Sequence, residues 1–276
     1  MNTPARITAW IGFGYLILGW AAVITIDVLN VFDAQNWLTA GLNPLPLLWY
    51  ELFSEASPAE MLQWAALAVS FIVFATVALQ LRKQSDWHRY RFAAMLSLGL
   101  LLMLIEDFLN LRHVVVDHYF PLVFGEPSTY PRRTYRLIWE LIFYTFLSVL
   151  MVIPFVVFWL KGVWHGTGLR ILTVAYLIYG FAGFSSALRR VGDWQERLGY
   201  WLIERLNLAE LPAWAESLSR MERWRELSSG YTHTLGYLLT DHLIEESIEL
   251  IAATLLVTAL LSLRQQTLSY TPVNRA

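Results

Sequence analysis

Long apolar runs separated by short polar stretches set the pattern of this chain. Six runs are long enough to cross a bilayer, about 7–29, 61–81, 92–112, 136–160, 171–189 and 233–263, since a helical span needs roughly 20 mostly apolar residues. The fifth is the shortest and carries Gly180, Gly183, Ser185 and Ser186, and Pro154 in the fourth is expected to kink it. The first run follows Arg6 and continues to Ile26. That is too long for the apolar core of a secretory signal, and no A-x-A site follows, so it is read as an uncleaved span. The pattern predicts an all-α integral membrane protein, a bundle of about six transmembrane helices forming a single membrane domain over 1–276.

The connections alternate in character. Residues 1–6, 82–91, 161–170 and 264–276 are short and hold nine of the twenty Lys and Arg with one acid, Asp86. By the positive-inside rule this side is cytoplasmic, so both termini are expected inside the cell (inner) membrane of a multi-pass protein. Arg132, Arg133, Arg189 and Arg190 on the opposite side run against that bias. The longer segments, about 30–60, 113–135 and 190–232, then face outward. The first contains Asn43-Pro44-Leu45-Pro46 followed by Trp49, Tyr50 and Phe53, and is expected to lie along the interface. The segment 190–232 reads as two helices broken near Leu208–Pro212. In the first of these Trp194, Leu198, Trp201, Leu202 and Leu206 share a face, with Glu196, Arg197, Glu204 and Arg205 elsewhere. That is the pattern of an amphipathic interfacial helix, and a cap packed on the bundle would show it equally.

Composition agrees with lipid as the solvent. Hydrophobic residues make up 57% and charged residues 15%, against about 25% charged in a soluble domain. Thirteen Trp and thirteen Tyr fit the aromatic belts of membrane interfaces. The net charge of −2 gives no basic surface for nucleic acid, and the absence of Cys excludes disulfides, thiolate metal sites and Cys nucleophiles. No P-loop, dinucleotide fingerprint, G-x-S-x-G or H-E-x-x-H motif is present.

Ionisable residues inside a span are costly and therefore functional candidates. Glu106 lies fourteen residues from Phe92, and Glu249 fifteen before Arg264. At 1.5 Å per residue both sit about 21–22 Å from the cytoplasmic edge. Glu106, Asn110 and His113 fall on one helical stripe, with Asp107 beside it. His242, Glu245, Glu246 and Glu249 share another, and Arg136, Glu140 and Tyr144 a third. By the same count Glu140 and Asp27 lie near the outer boundary. Lipid rejects such stripes, so they are expected to face the bundle interior.

Carboxylates this close cannot all ionise in a low dielectric. Some must be protonated, paired with Arg or bound to a cation. The leading expectation is a site for a metal ion or a proton-coupled cation or substrate. Its ligands would be Glu106, His113, Glu140, His242, Glu245 and Glu249, with Asp107, Asn110, Tyr144, Asp241 and Glu246 around them. Imidazole and carboxylate suit a divalent metal, Fe, Mn or Zn, and such a centre would support a metal-dependent oxidoreductase or hydrolase. The order His242-x-x-Glu245 reverses the Glu-x-x-His of di-iron bundles, and Asn110 stands where such a motif has Glu. Haem held by His113 and His242 is disfavoured by the acidic surroundings. Residues 92–105 and 250–263 hold no ionisable group, so no charged pathway through the membrane is visible along these helices. The competing class is a non-catalytic subunit or scaffold of a larger membrane complex or a homo-oligomer. There Arg112, Arg136, Arg189 and Arg190 would pair with the acids in a structural network. The lipid bilayer is the one partner expected in either case.

Overall fold

The computed structural model describes residues 2–34, 37, 45–54, 56–109, 111–115, 119, 122, 132–188, 193–227 and 234–270. The protein is an all-α membrane bundle, with no strand among the described residues. Six helical stretches are long and apolar enough to span a membrane: Thr3–Val28, Leu48–Lys83, Trp87–Leu109, Ile138–Leu160, Gly166–Ser186 and Leu235–Ser269. Each coincides with one of the six runs read from the sequence. His113 lies in a short helical turn, Leu111–Val114, and its side chain is outside the described residues. Asn110, Arg189, Arg190 and the side chains of Arg112 and Arg136 are also outside them.

Helix boundaries follow local chemistry. Helix α1 (Thr3–Val23) carries Pro4 in its first turn, and Asn2 Oδ1 accepts the Ala5 N–H at 3.1 Å. A short helix α2 (Leu48–Phe53) precedes α3 (Pro58–Lys83), which begins on proline, where the missing N–H costs nothing. Helix α4 (Trp87–Leu109) is capped by Asp86, whose Oδ1 accepts the Arg89 N–H at 3.0 Å. Helix α5 (Arg132–Leu160) runs through Pro154, and two glycines with left-handed backbone, Gly162 (φ 66°) and Gly166 (φ 68°), turn the chain into α6 (Gly166–Leu188). Helices α7 (Trp194–Arg205) and α8 (Pro212–Leu227) are separated by Asn207 and a 3₁₀ turn at Leu208–Glu210, the break the sequence predicts. The last span has three parts: α9 (Leu235–Leu238), a π-helical stretch Leu239–Glu245, and α10 (Glu246–Ser269).

The chain divides into two compact units: one of Met1–Trp10, Gln63–Arg190 and Ala252–Ala276, the other of Ile11–Leu62 and Val191–Ile251. The first unit is built on apolar packing. In α10, Ala252, Ala253, Leu256, Val257, Ala259, Leu260 and Leu263 are all fully buried, more positions than one face can hold. Leu67, Phe74, Leu81, Leu96, Leu100, Phe158 and Leu172 complete this core. Between spans in lipid such contacts gain dispersion energy rather than hydrophobic energy, so close fit decides stability. Gly99 supplies that fit where α4 meets Met151 of α5. At one end Arg89 donates to Asp86 (2.6 Å) and to the Thr267 carbonyl (2.8 Å) and lies over the Tyr270 ring. The Trp164 indole donates to Thr267 Oγ1 at 2.8 Å. His88 and His165, in the connections at this end, are exposed.

The second unit packs around α2. The sequence places this segment along the interface, but Trp49 and Phe53 are fully buried. Phe53 fits against Gly19, Trp49 stacks on Trp214 with ring centroids 6.3 Å apart, and Tyr15 Oη donates to the Leu52 carbonyl at 2.8 Å. Helix α7 lies on α9 through glycine. A Cβ placed on Gly199 would fall 1.9 Å from the Gly236 carbonyl oxygen, so backbone rests on backbone there. This contact turns Gln195, Gly199 and Ile203 inward and leaves Leu198, Trp201 and Leu206 exposed. Of the apolar stripe read from the sequence, Leu198, Trp201 and Leu206 face outward, while Leu202 packs against the core and Trp194 is half-buried.

Candidate functional site

Two π-helical stretches occur in the second unit, Ile24–Val28 and Leu239–Glu245, and both carry acids. A π turn hydrogen-bonds i to i+5, taking one residue more than an α turn, and such insertions often mark functional sites. The first holds Asp27, which is fully buried. Its carboxylate accepts the Leu48 N–H at 2.9 Å and the Trp49 N–H at 2.8 Å, the first turn of α2. Its backbone carbonyl accepts the Trp214 indole N–H at 2.8 Å. Asp27 thus satisfies a helix start that lipid could not solvate, an arrangement favourable to both the amides and the charge.

The second stretch holds Asp241, His242 and Glu245. The His242 side chain is buried with its ring edge-to-face against Tyr50, centroids 5.8 Å apart. Asp241, Glu245, Glu246 and Glu249 are half-buried. The extra residue in the π turn rotates the positions after it, which is why His242 is enclosed while the acids that α-helical spacing would stack with it are partly open. Gln195 from α7 donates through Nε2 to Glu245 Oε2 at 3.1 Å. The Thr240 hydroxyl sits within reach of the Gln195 carbonyl at 3.1 Å and of the Tyr237 carbonyl at 2.9 Å, tying the start of α7 to the π turn. Nearby, the Trp20 indole donates to Ser247 Oγ at 3.0 Å.

Within the first unit, Glu106 and Glu140 are buried and Asp107 accepts the Gln63 amide at 3.0 Å. Tyr144 packs its ring against Gly183. The six expected ligands therefore fall in two groups: Glu106, His113 and Glu140 in the first unit, and His242, Glu245 and Glu249 in the second. Among the described residues no three His, Asp or Glu form a group that could hold a metal ion. Arg89 pairs with Asp86 at the start of the α4 span, and Arg220 pairs with Glu216 on α8.

Sequence reasoning missed Gln195, Thr240, Gln63 and Tyr50, which are neutral and meet their partners across long sequence separations. One signal was available for Gln195: it precedes Gly199 by four residues and so shares a face with the one position on α7 that lacks a side chain. No protein-family model, curated protein or solved structure matches the chain.

Proposed function

We propose that this multi-pass protein binds a cation, or a substrate carrying one, at the acidic stretch of its last span. Glu245 is the principal carboxylate, with Glu249, Asp241 and Glu246 adding negative potential and His242 closing one side. The observation that carries this reading is Glu245 itself: a half-buried carboxylate at the end of a π turn inside an apolar span, which accepts the Gln195 amide at 3.1 Å. Charge at such a place is expensive and is retained where it binds or moves something. The site belongs to the end of the span read as outer, and the protein to the cell inner membrane with cytoplasmic termini; Cys-accessibility mapping of single cysteines at residues 32 and 83 tests that orientation.

Purified protein, titrated calorimetrically with monovalent and divalent cations and assayed for bound Fe, Mn and Zn, tests the reading. Saturable binding lost in Glu245→Gln and weakened in Glu249→Gln is expected, and cation flux in liposomes should fall with them if the protein transports. Binding and flux unchanged in both variants would overturn the proposal. A divalent metal retained in stoichiometric amount would specify the metal version of it, with His242 as the imidazole ligand.

The second reading is a scaffold. It is favoured by Asp27 and Asp107, whose carboxylates serve as internal hydrogen-bond acceptors for α2 and Gln63. The same titrations separate the two, because a scaffold binds no cation and loses only stability when Glu245 is neutralised.

A further inference from the structure

We propose that the end of the first unit where α3, α5 and α10 finish and α4 and α6 begin is a docking surface for anionic phospholipid headgroups, centred on Lys161, His88 and Arg91. This does not rest on the reading of Glu245. The six cations at this end, Arg82, Lys83, Arg91, Lys161, Arg170 and Arg264, are all exposed. Among the described residues none of them pairs with a carboxylate. The acid in these connections, Asp86, is half-buried and held by Arg89, which is itself buried. The exposed charge here is therefore of one sign. Positive charges gathered on one face repel each other, and an anionic partner relieves that repulsion.

The fold gathers these charges by joining the helix ends. Tyr270 Oη donates to the Lys161 carbonyl at 2.9 Å, and Gln266 Oε1 accepts the His165 N–H at 3.1 Å. Arg89 and Trp164 both donate to Thr267, so α4 and the turn after α5 are tied to the end of α10. The Lys161 ammonium meets His88 Nε2, and the His88 ring rests edge-on against Phe92 with centroids 5.2 Å apart. Arg91, three residues past His88, shares its face of α4.

What borders the cations selects the occupant. Trp87, next to His88, and Trp159 and Leu160, next to Lys161, are exposed. Indole and leucine side chains beside Lys and Arg at the ends of spans match the boundary between acyl chains and headgroups. A soluble polyanion that reached the cations would leave these apolar neighbours uncovered. A phospholipid covers both, its phosphate on the cations and its apolar part on the rings. A zwitterionic lipid brings its own counter-charge to the phosphate, so an anionic one neutralises this surface better.

The test compares phosphatidylglycerol with phosphatidylcholine. Full-length protein is reconstituted into liposomes carrying a trace of either lipid with a spin label on its acyl chain. Electron spin resonance then separates lipid held at the protein surface from bulk lipid. Phosphatidylglycerol is expected to be preferred by about threefold or more at low salt, and the preference to fall toward equality at about 0.5 M salt, where charges are screened. Lys161→Gln combined with Arg91→Gln is expected to bring the ratio below about twofold, while Lys161→Arg keeps it. Arg220→Gln, which removes a cation that α8 already pairs with Glu216, is the control and should leave the ratio unchanged. If the double variant fails to fold, Lys161→Gln alone, at an exposed position, is read against that control. Equal association of the two lipids at low salt, a preference indifferent to salt, or a Lys161→Gln Arg91→Gln variant that selects like the parent would overturn the inference. So would displacement of the labelled lipid by inorganic phosphate, which would make this a site for the free anion, or by polyglutamate or an oligonucleotide, which would make it a surface for a soluble partner.

Discussion

The two units of this protein solve the same problem by opposite means. The first packs α-helices largely through apolar side chains, with a hydrogen-bonded group at one end around Arg89, Trp164 and Thr267 and two buried acids, Glu106 and Glu140. The second departs from the α-helix twice, buries an aspartate completely and seats one helix on another through two glycines. Apolar side chains tolerate small shifts because their contacts are many and weak. Backbone-to-backbone contact and buried charge do not, because each has a single geometry that works. A chain pays for the second kind of construction in tolerance to mutation, and its backbone-on-backbone form is found here where the candidate site lies.

Glycine substitutions give the sharpest contrast. Gly199→Ala puts a methyl group into the Gly236 carbonyl, and neither backbone can yield, so a loss of about 3 kcal/mol or more is expected. Gly99→Ala meets the Met151 sulfur at 2.8 Å and the Leu150 Cβ at 3.2 Å; the flexible methionine can give way, and the loss should stay at about 1–2 kcal/mol. Thermal unfolding in detergent reads both. Equal melting temperatures in the two variants would dissolve the comparison. Next in size is Asp27→Ala, which leaves the Leu48 and Trp49 N–H groups without their acceptor and should cost about 2–3 kcal/mol, with Asp27→Asn recovering part of it. In the first unit, Trp164→Phe loses one hydrogen bond and keeps the ring contacts with Phe74 and Phe158, for about 1 kcal/mol.

The smallest effect concerns pH. Partial burial opposes ionisation of Asp86, but the Arg89 N–H, guanidinium hydrogen bond and charge, with a contribution from His88, outweigh it and hold the carboxyl below its ordinary value. A depressed folded-state pKa means the stabilisation is complete above the unfolded-state value and disappears as pH falls through the folded one. Wild type and Asp86→Asn should therefore differ by about 0.5 kcal/mol at neutral pH and converge in acid. A difference that grows on acidification would contradict the assignment.

Much of the first unit was legible in the sequence. A span has to be apolar for about twenty residues whatever it packs against, so Phe92–Leu109 or Ile138–Leu160 announce themselves. The second unit was less legible for particular reasons. Trp49, Tyr50 and Phe53 look like an interfacial belt until Asp27, about twenty residues upstream, caps their helix and draws them inside. The stripe His242, Glu245, Glu246 and Glu249 assumes α-helical spacing, which the π turn at Leu239–Glu245 breaks. The acids were found because charge in a span is conspicuous. Gln195 was not, because an amide carries no such signal and its partner lies fifty residues away.

The glycine seat of α7 also leaves a trace that could be read in other chains. Carboxylates can exchange Glu for Asp, and lipid-facing residues can drift among Leu, Ile and Phe, without disturbing the architecture. The seat has no such freedom, because every residue other than glycine brings a Cβ into the opposing backbone. It yields a compact text pattern, Gln-x-x-x-Gly on an amphipathic helix and Gly-x-x-x-Thr at the head of an acidic span, formed here by Gln195, Gly199, Gly236 and Thr240. A distant relative whose overall similarity has decayed should still spell it.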